Sequence, residues 1–551
     1  MNPSETKNIY LGPVENKLSL LISMADRESF SKTYGCFDRT FWCWKFTDFP
    51  GARYQEAVFA LAYLYTNPIK GSSWTHNKKT LDWAIAGLKY WLSLQHTDGS
   101  FDEAYPMEHS LAATAFTSFY LGEAFLLLSD CLNESEKKIL LETFSKAGAW
   151  LCRNDEKHGT LSNHLAATAV ALHVIYKISG TTRFEERSKY FLNRIYSCQS
   201  KEGWYEEYGG ADAGYQTHSI FYLARLWQYT KDEELLESLK RSICFQKYFI
   251  HPDGTIGGEY CSRNTEFYLP AGFEILAPEI PEAALIVQKM RRSIDDQIGV
   301  GLAAMDAQNF MPLLNNYLFA AEYSQDKELV EGGLPFEQEG EWEFPEAGLV
   351  VKSNSNYYAI LSVSKGGVLK IYDCKRKKLH LSDCGYWACL RNGRVVSSQA
   401  LNRSGKINRE ENEFLIEVPF KEIKQKTLSP FLFVLFRLFS LTFGKVRSIA
   451  YWIKILLVKV LVTGHRTVPI NFTRKVRFLK NEIQISDQIE LLENINLSAL
   501  QLEAKFSTIH MGSSRYFSNQ ELEAKPLEAE NLAIKLKNDR ILNVERNFKF
   551  E

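Results

Sequence analysis

The chain lacks a charge excess: 65 lysines and arginines stand against 66 aspartates and glutamates in 551 residues. Overall charge therefore gives no reason to expect a nucleic-acid partner. The ten cysteines include no Cys-x-x-Cys pair, which removes the commonest zinc and redox spacings and leaves reduced, packed thiols. No other metal-ligand spacing stands out, so neither a metal nor a cofactor is expected. The opening Met-Asn-Pro-Ser-Glu-Thr-Lys-Asn-Ile-Tyr has neither the basic start nor the apolar run of a signal peptide, and a cytoplasmic location is expected. Acid is also missing locally. From Ile423 through Asn481 there are 12 lysines or arginines and no acidic residue. Within that stretch lie Phe431–Phe436 and Ile453–Val462, broken by Arg437, Lys445, Arg447, Lys454 and Lys459, so neither is a clean membrane span. A basic amphipathic helical insertion at about 428–462, lying peripherally on an anionic membrane, is the expectation; packing on the same protein or on a second subunit is the alternative.

What is present is a repeat. Gln95-x-x-Asp98-Gly99-Ser-Phe-x-Glu103 resembles Gln199-x-x-Glu202-Gly203-Trp-Tyr-x-Glu207, and Pro252-Asp253-Gly254-Thr-Ile echoes both. Ser110-Leu-Ala-Ala-Thr-Ala returns as His164-Leu-Ala-Ala-Thr-Ala 54 positions later, and another 54 lead to His218. That period suits one two-helix unit, and stacked units bring equivalent residues to one rim. Asn133-x-x-Glu136, Thr182-x-x-Glu185 and Thr230-x-x-Glu233 have the capping-box form that opens helices. The second helix of each unit is the less polar and is placed inside.

The domains follow: 1–52 an N-terminal extension, 53–331 an incomplete α/α toroid of helical hairpins, 332–551 an antiparallel β-sandwich. The change of character falls near Gly332-Gly333-Leu-Pro335. Beyond it come short β-branched or alternating runs, such as Tyr357–Val363, Val368–Tyr372, Phe414–Val418 and Ile483–Leu491, with hairpin turns at Gly366-Gly367 and Asn392-Gly393. Closure of the helical layer is not decided by the pattern, and a straight solenoid stays open.

Helical hairpins before an antiparallel β-domain, with Asn163-His164 opening one inner helix and Gly214-Tyr215-Gln216 the next, resemble the heparinase II/III-like polysaccharide lyases, whose scaffold alginate lyases and uronyl C5-epimerases share. The resemblance implies that Asn163 and His164 bind a uronate carboxylate, that Tyr215 transfers protons, and that a β-domain histidine completes the site. His380, in Lys378-Leu-His-Leu-Ser-Asp383-Cys-Gly385, is the candidate, ahead of His465. His218, Tyr208, Glu207 and Trp204 are the expected substrate-binding residues, with Glu206, Glu207 and Asp212 forming an acidic rim. The family loop sets a basic residue beside its tyrosine; here the loop reads Gly-Gly-Ala-Asp-Ala-Gly-Tyr-Gln-Thr-His and contains none.

The chemistry suits those residue types. β-Elimination removes the C5 proton of a uronic acid and expels the group on O4. Asn163 and His164 offer donors to the carboxylate as charge builds on it. A phenol serves as base when positive charge stands beside it, and then as acid toward the leaving oxygen. The expected activity is a carbon–oxygen lyase on an acidic polysaccharide, in an intracellular or membrane-apposed role beside exopolysaccharide synthesis. Three alternatives stay open: a uronyl C5-epimerase, a non-catalytic glycan-binding protein of polysaccharide assembly, and a terpene-cyclase-like toroid suggested by Gln95-x-x-Asp98-Gly99-Ser-Phe.

Overall fold

The structure is a computed structural model that describes residues 3–68, 73–156, 159–325, 331–402, 407–410, 412–423, 427, 429–446, 449, 466–509, 511–523 and 532–550. Among these, thirteen helices come first: α1 (Pro3–Glu15), α2 (Leu18–Met24), α3 (Ala57–Thr66), α4 (Lys78–Ser93), α5 (Leu111–Leu128), α6 (Glu134–Arg153), α7 (Ser162–Ser179), α8 (Thr182–Cys198), α9 (Ala213–Thr230), α10 (Glu233–Gln246), α11 (Ala271–Leu276), α12 (Pro281–Asp295) and α13 (Ala307–Tyr323). Helices α3, α5, α7, α9, α11 and α13 pack in succession as an inner layer, and α13 returns to lie against α3. The ring therefore closes, which excludes a straight solenoid. Small and apolar residues make this possible: α5 is buried along nearly its whole length, whereas outer α8 buries only Phe184, Ser188, Phe191, Leu192 and Ile195, one stripe of an amphipathic helix.

The repeated turns are structural. Gln95 Nε2 donates to the carbonyls of Gly99 (3.2 Å) and Thr143 (2.9 Å), and Gln199 Nε2 makes the same pair of bonds to Gly203 (2.9 Å) and Ser238 (2.9 Å). Each glutamine thus ties a turn to the next outer helix. Gly203 has φ 104°, and a β-carbon there would sit 2.2 Å from the Arg241 carbonyl oxygen, so no side chain fits. This packing role accounts for the motif that suggested a terpene-cyclase-like protein.

Of the three expected capping boxes, the one at Asn133 forms, with Glu136 N donating to Asn133 Oδ1 at 2.9 Å and Asn133 N to Glu136 Oε2 at 3.1 Å. The other two do not. Thr182 lies inside α8, and Asp232 rather than Thr230 caps α10, through a bond from Leu235 N. The N-terminal segment packs against the helical domain. Helix α1 packs along α13, with the Tyr10 ring 6.0 Å from that of Tyr317 and its hydroxyl bonded to Glu274.

The second half holds two antiparallel sheets. The first is a five-stranded meander of β1 (Gly340–Phe344), β2 (Leu349–Ser353), β3 (Tyr357–Ser362), β4 (Val368–Asp373) and β5 (Lys378–Asp383). The second comprises β6 (Tyr386–Leu390), β7 (Val395–Ser397), β8 (Asn408–Glu410), β9 (Glu413–Ile423), β10 (Thr467–Phe478), β11 (Glu482–Leu491), β12 (Leu497–Leu502) and β13 (Ile541–Lys549). Its order is β12-β6-β7-β9-β10-β11-β13, with β8 on β9. Every residue of β3 is buried because the small sheet is covered on both faces. Tyr358 and Ile360 join the core of the helical domain, while Tyr357, Ala359 and Leu361 join the core shared with the large sheet. Between β9 and β10 lies one further described helix, α14 (Pro430–Thr442); Ile453–Val462 and His465 fall outside the described residues.

Candidate active site

The N-terminal ends of the inner helices and the loops before them face the β-domain across a cleft of about 590 Å³. Asn163, His164, Tyr215 and His218 all line it, as the repeat register requires. Asp212 starts α9 by accepting from Tyr215 N at 3.0 Å, which fixes the turn that presents the tyrosine. The Tyr215 hydroxyl lies 3.0 Å from Ser513 Oγ in the β-domain segment 511–516, which also contributes Met511, Gly512 and Tyr516 to the cleft wall.

Arg263 was not legible in the sequence, and it organises the site. Its guanidinium carbon lies 3.8 Å from the Tyr215 ring centroid and 4.9 Å from that of Tyr208. It supplies the cation missing from the tyrosine's own loop, from the loop before the next inner helix. The available signal was position: Cys261-Ser-Arg-Asn-Thr precedes α11 as the Tyr215 loop precedes α9.

Glu207 sits beneath, fully buried. Its Oε1 accepts from Asn163 N (2.9 Å) and Asn163 Nδ2 (2.8 Å), while Oε2 pairs with Arg263 Nη1 at 3.0 Å. Burial pushes the Glu207 carboxyl above the ordinary carboxylate range, against the pull of Arg263 and Asn163. One carboxylate thus orients both the amide and the cation. Nδ2 of Asn163 keeps a second hydrogen for a ligand. Glu207 and Asp212 are accordingly not an acidic rim for sugar hydroxyls; they hold the site from below.

His164 Nδ1 lies 2.8 Å from Glu156 Oε2, which orients the ring, and Phe116 meets it edge-on at 5.6 Å. His218 differs despite its equivalent place in the repeat. Its Nε2 lies 3.1 Å from the Tyr222 hydroxyl, and burial, aided by Arg53, His164 and Arg263, depresses its pKa to about 3. It lines the cleft as a neutral ring. Arg53 brings another guanidinium to the wall, paired with Glu56 (2.9 Å) and Glu103 (3.4 Å).

Three expected site residues are placed elsewhere. His380 is exposed on β5, against the rings of Phe548 and Phe550, and does not line the cleft. The nearby Asp383 is structural: it pairs with Arg474 (3.1 Å) and Arg546 (2.7 Å) inside the sandwich. Trp204 donates to Glu202 Oε2, and Glu202 accepts the backbone N–H groups of Glu346 and Ala347, so this pair fastens the domains together. Tyr208 stands behind the cleft wall, with φ 51° and its N–H bonded to the Thr160 carbonyl.

Residues 32–269 match the family described as Ulvan lyase N-terminal domain. The resemblance to heparinase-like polysaccharide lyases stands. All the helical-domain site residues named above, from Arg53 to Arg263, fall within that match. Among solved structures, the chain is similar to the chondroitin AC lyase of Streptomyces coelicolor A3, with 11% identity and a TM-score of 0.55 over 89% of this chain and 67% of that one. A Paenibacillus xanthan lyase gives 11% identity and a TM-score of 0.52 over 90% of this chain, which spans 46% of that protein. At these identities the likeness establishes a shared fold of helical toroid and β-domain. No curated protein matches the chain.

Proposed function

We propose that the protein is a lyase that cleaves an acidic, uronic-acid-containing polysaccharide by β-elimination. The observation that carries this reading is the Tyr215 hydroxyl in the cleft, stacked under Arg263 and flanked by Asn163 and His164. In the proposed reaction the Tyr215 oxygen takes the C5 proton, and the C5–H electron pair becomes the C4–C5 double bond. The C4–O4 bond breaks, and the same proton passes to the leaving oxygen. Arg263 compensates the negative charge that the phenol oxygen carries before and after the transfer. Asn163 Nδ2 and the His164 ring offer hydrogen bonds to the carboxylate while charge accumulates there. Both guanidiniums lining the cleft are already ion-paired, which favours recognition of a single carboxylate over a densely sulfated chain.

The test is a panel of uronic-acid polymers monitored by ultraviolet absorbance of the unsaturated product. Tyr215→Phe removes only the hydroxyl and should abolish turnover while leaving glycan binding and folding nearly intact. Asn163→Ala should lower the rate by about two to three orders of magnitude, the usual loss for one such donor. A fully active Tyr215→Phe protein would end this mechanism. Uptake of solvent deuterium at C5 without unsaturated product would identify the epimerase instead.

A further inference from the structure

Helix α14 is built inside out. Phe431, Val434, Leu435, Leu438 and Leu441 recur at helical spacing, the pattern by which a globular helix buries one face, yet they are exposed: 72% for Phe431, 45% for Leu435 and 56% for Leu438. The opposite side holds the helix to the protein. Phe436 meets the Tyr105 ring at 5.0 Å, Arg437 Nε lies 2.9 Å from Asp48, and Ser440 is buried. The loop that supplies Asp48 adds to the outward surface, with Trp44 exposed and Phe46 88% exposed.

We propose that this surface docks on an anionic lipid bilayer. Three observations select that occupant. The helix is about 20 Å long, too short for the ~30 Å hydrocarbon core, so it lies in the interface rather than spanning it. The stretch from Ile423 through Asn481 that contains it has 12 basic residues and no acid; Arg437, Arg474, Lys475 and Arg477 are paired with the protein's own carboxylates, and the other eight leave a one-signed charge that suits an anionic headgroup layer. Exposed Trp and Phe beside a leucine stripe are the residues that settle at the headgroup boundary. Among the described residues, the one helix long and apolar enough to cross a membrane, Leu111–Cys131, is buried in the toroid and takes no part. Tyr105, which Phe436 contacts, adjoins the cleft-lining Ala104, so docking brings the cleft mouth to the bilayer surface. Binding does not depend on the chemistry of the cleft and is read without turnover.

The experiment is co-sedimentation of the full chain with phosphatidylcholine vesicles and with vesicles that also contain phosphatidylglycerol. The protein should bind the anionic vesicles, and added salt should weaken that binding. Combined Phe431→Ser, Leu435→Ser and Leu438→Ser should lower it by about a hundredfold or more, and the loop variant Phe46→Ser by about tenfold. Far-UV circular dichroism establishes that each variant is folded. Absence of binding by the folded wild-type protein, or equal binding by wild type and Phe46→Ser, overturns the proposal. So does a dimer in sedimentation velocity that the triple variant dissolves, because a second copy would then cover the stripe.

Discussion

At the scale of single residues, Glu207 decides how much of the site is preorganised. Both its oxygens are committed, one to Asn163 and one to Arg263. Glu207→Gln keeps the shape but strips Arg263 of its buried counter-charge, an imbalance of about 3–5 kcal/mol where one partner of a buried pair is lost. The melting temperature should fall, and kcat of the folded fraction should drop by about two orders of magnitude or more. If Glu207 merely supports the fold, kcat of the folded fraction will stay at the wild-type value. His164 and His218 were legible because the repeat aligns them at one end of successive hairpins, and Asn163 and Tyr215 because the short stretches around them resemble the lyase family. Arg263 was not, because its partner Tyr215 belongs to another hairpin and side-chain reach is invisible in a linear pattern. His380 misled for a related reason: a short motif does not reveal which side of a strand faces the cleft.

At the scale of elements, two glycines separate backbone strain from steric exclusion. Gly180 ends α7 with φ 68° and has nothing within 4 Å of the point a β-carbon would occupy, whereas Gly203 adds the Arg241 backbone to its φ of 104°. Gly180→Ala should therefore cost about 1 kcal/mol, and Gly203→Ala about 2–4 kcal/mol, read from urea unfolding midpoints. Equal losses would show that the outer helix yields freely. The turns, inner helices and hairpin strands were readable because their signals are local: glycine, a cap, a period of apolar residues. The capping-box pattern marked the starts of α8 and α10 but missed their caps by one and two positions, because Thr182 is already the first residue of α8 and Asp232 takes the cap that Thr230 was expected to supply. The pattern of α14 showed amphipathicity, but only the fold shows which side faces outward.

At the scale of the whole molecule, buried histidines tie stability to pH. His251 lies under the small sheet, its Nδ1 2.8 Å from the Tyr372 hydroxyl and its Nε2 2.9 Å from Tyr260. Burial first, then Lys370 and Lys289, holds its pKa well below the ordinary value near 6.5, and His218 is held down to about 3. Below about pH 6.5 the unfolded chain takes up protons that these folded rings refuse. Each contribution is complete above that pH and is lost as pH falls through the window, at about 1.4 kcal/mol per unit. His96 acts in the opposite sense: burial lowers its pKa, but Asp102 raises it on balance, so its stabilisation is greatest in acid and is lost as pH rises. Comparison with His251→Gln isolates one group: the stability gap between wild type and variant should narrow from pH 7 to about pH 5, and a constant gap would contradict the assignment. The bond between Tyr215 and Ser513 joins positions 298 residues apart. At about 5–20 residues per second of synthesis, roughly 15–60 s separate the appearance of the tyrosine from that of its hydroxyl partner. During translation the toroid thus waits with one wall of its cleft unbuilt, and the site comes of age only when the β-domain has closed over it.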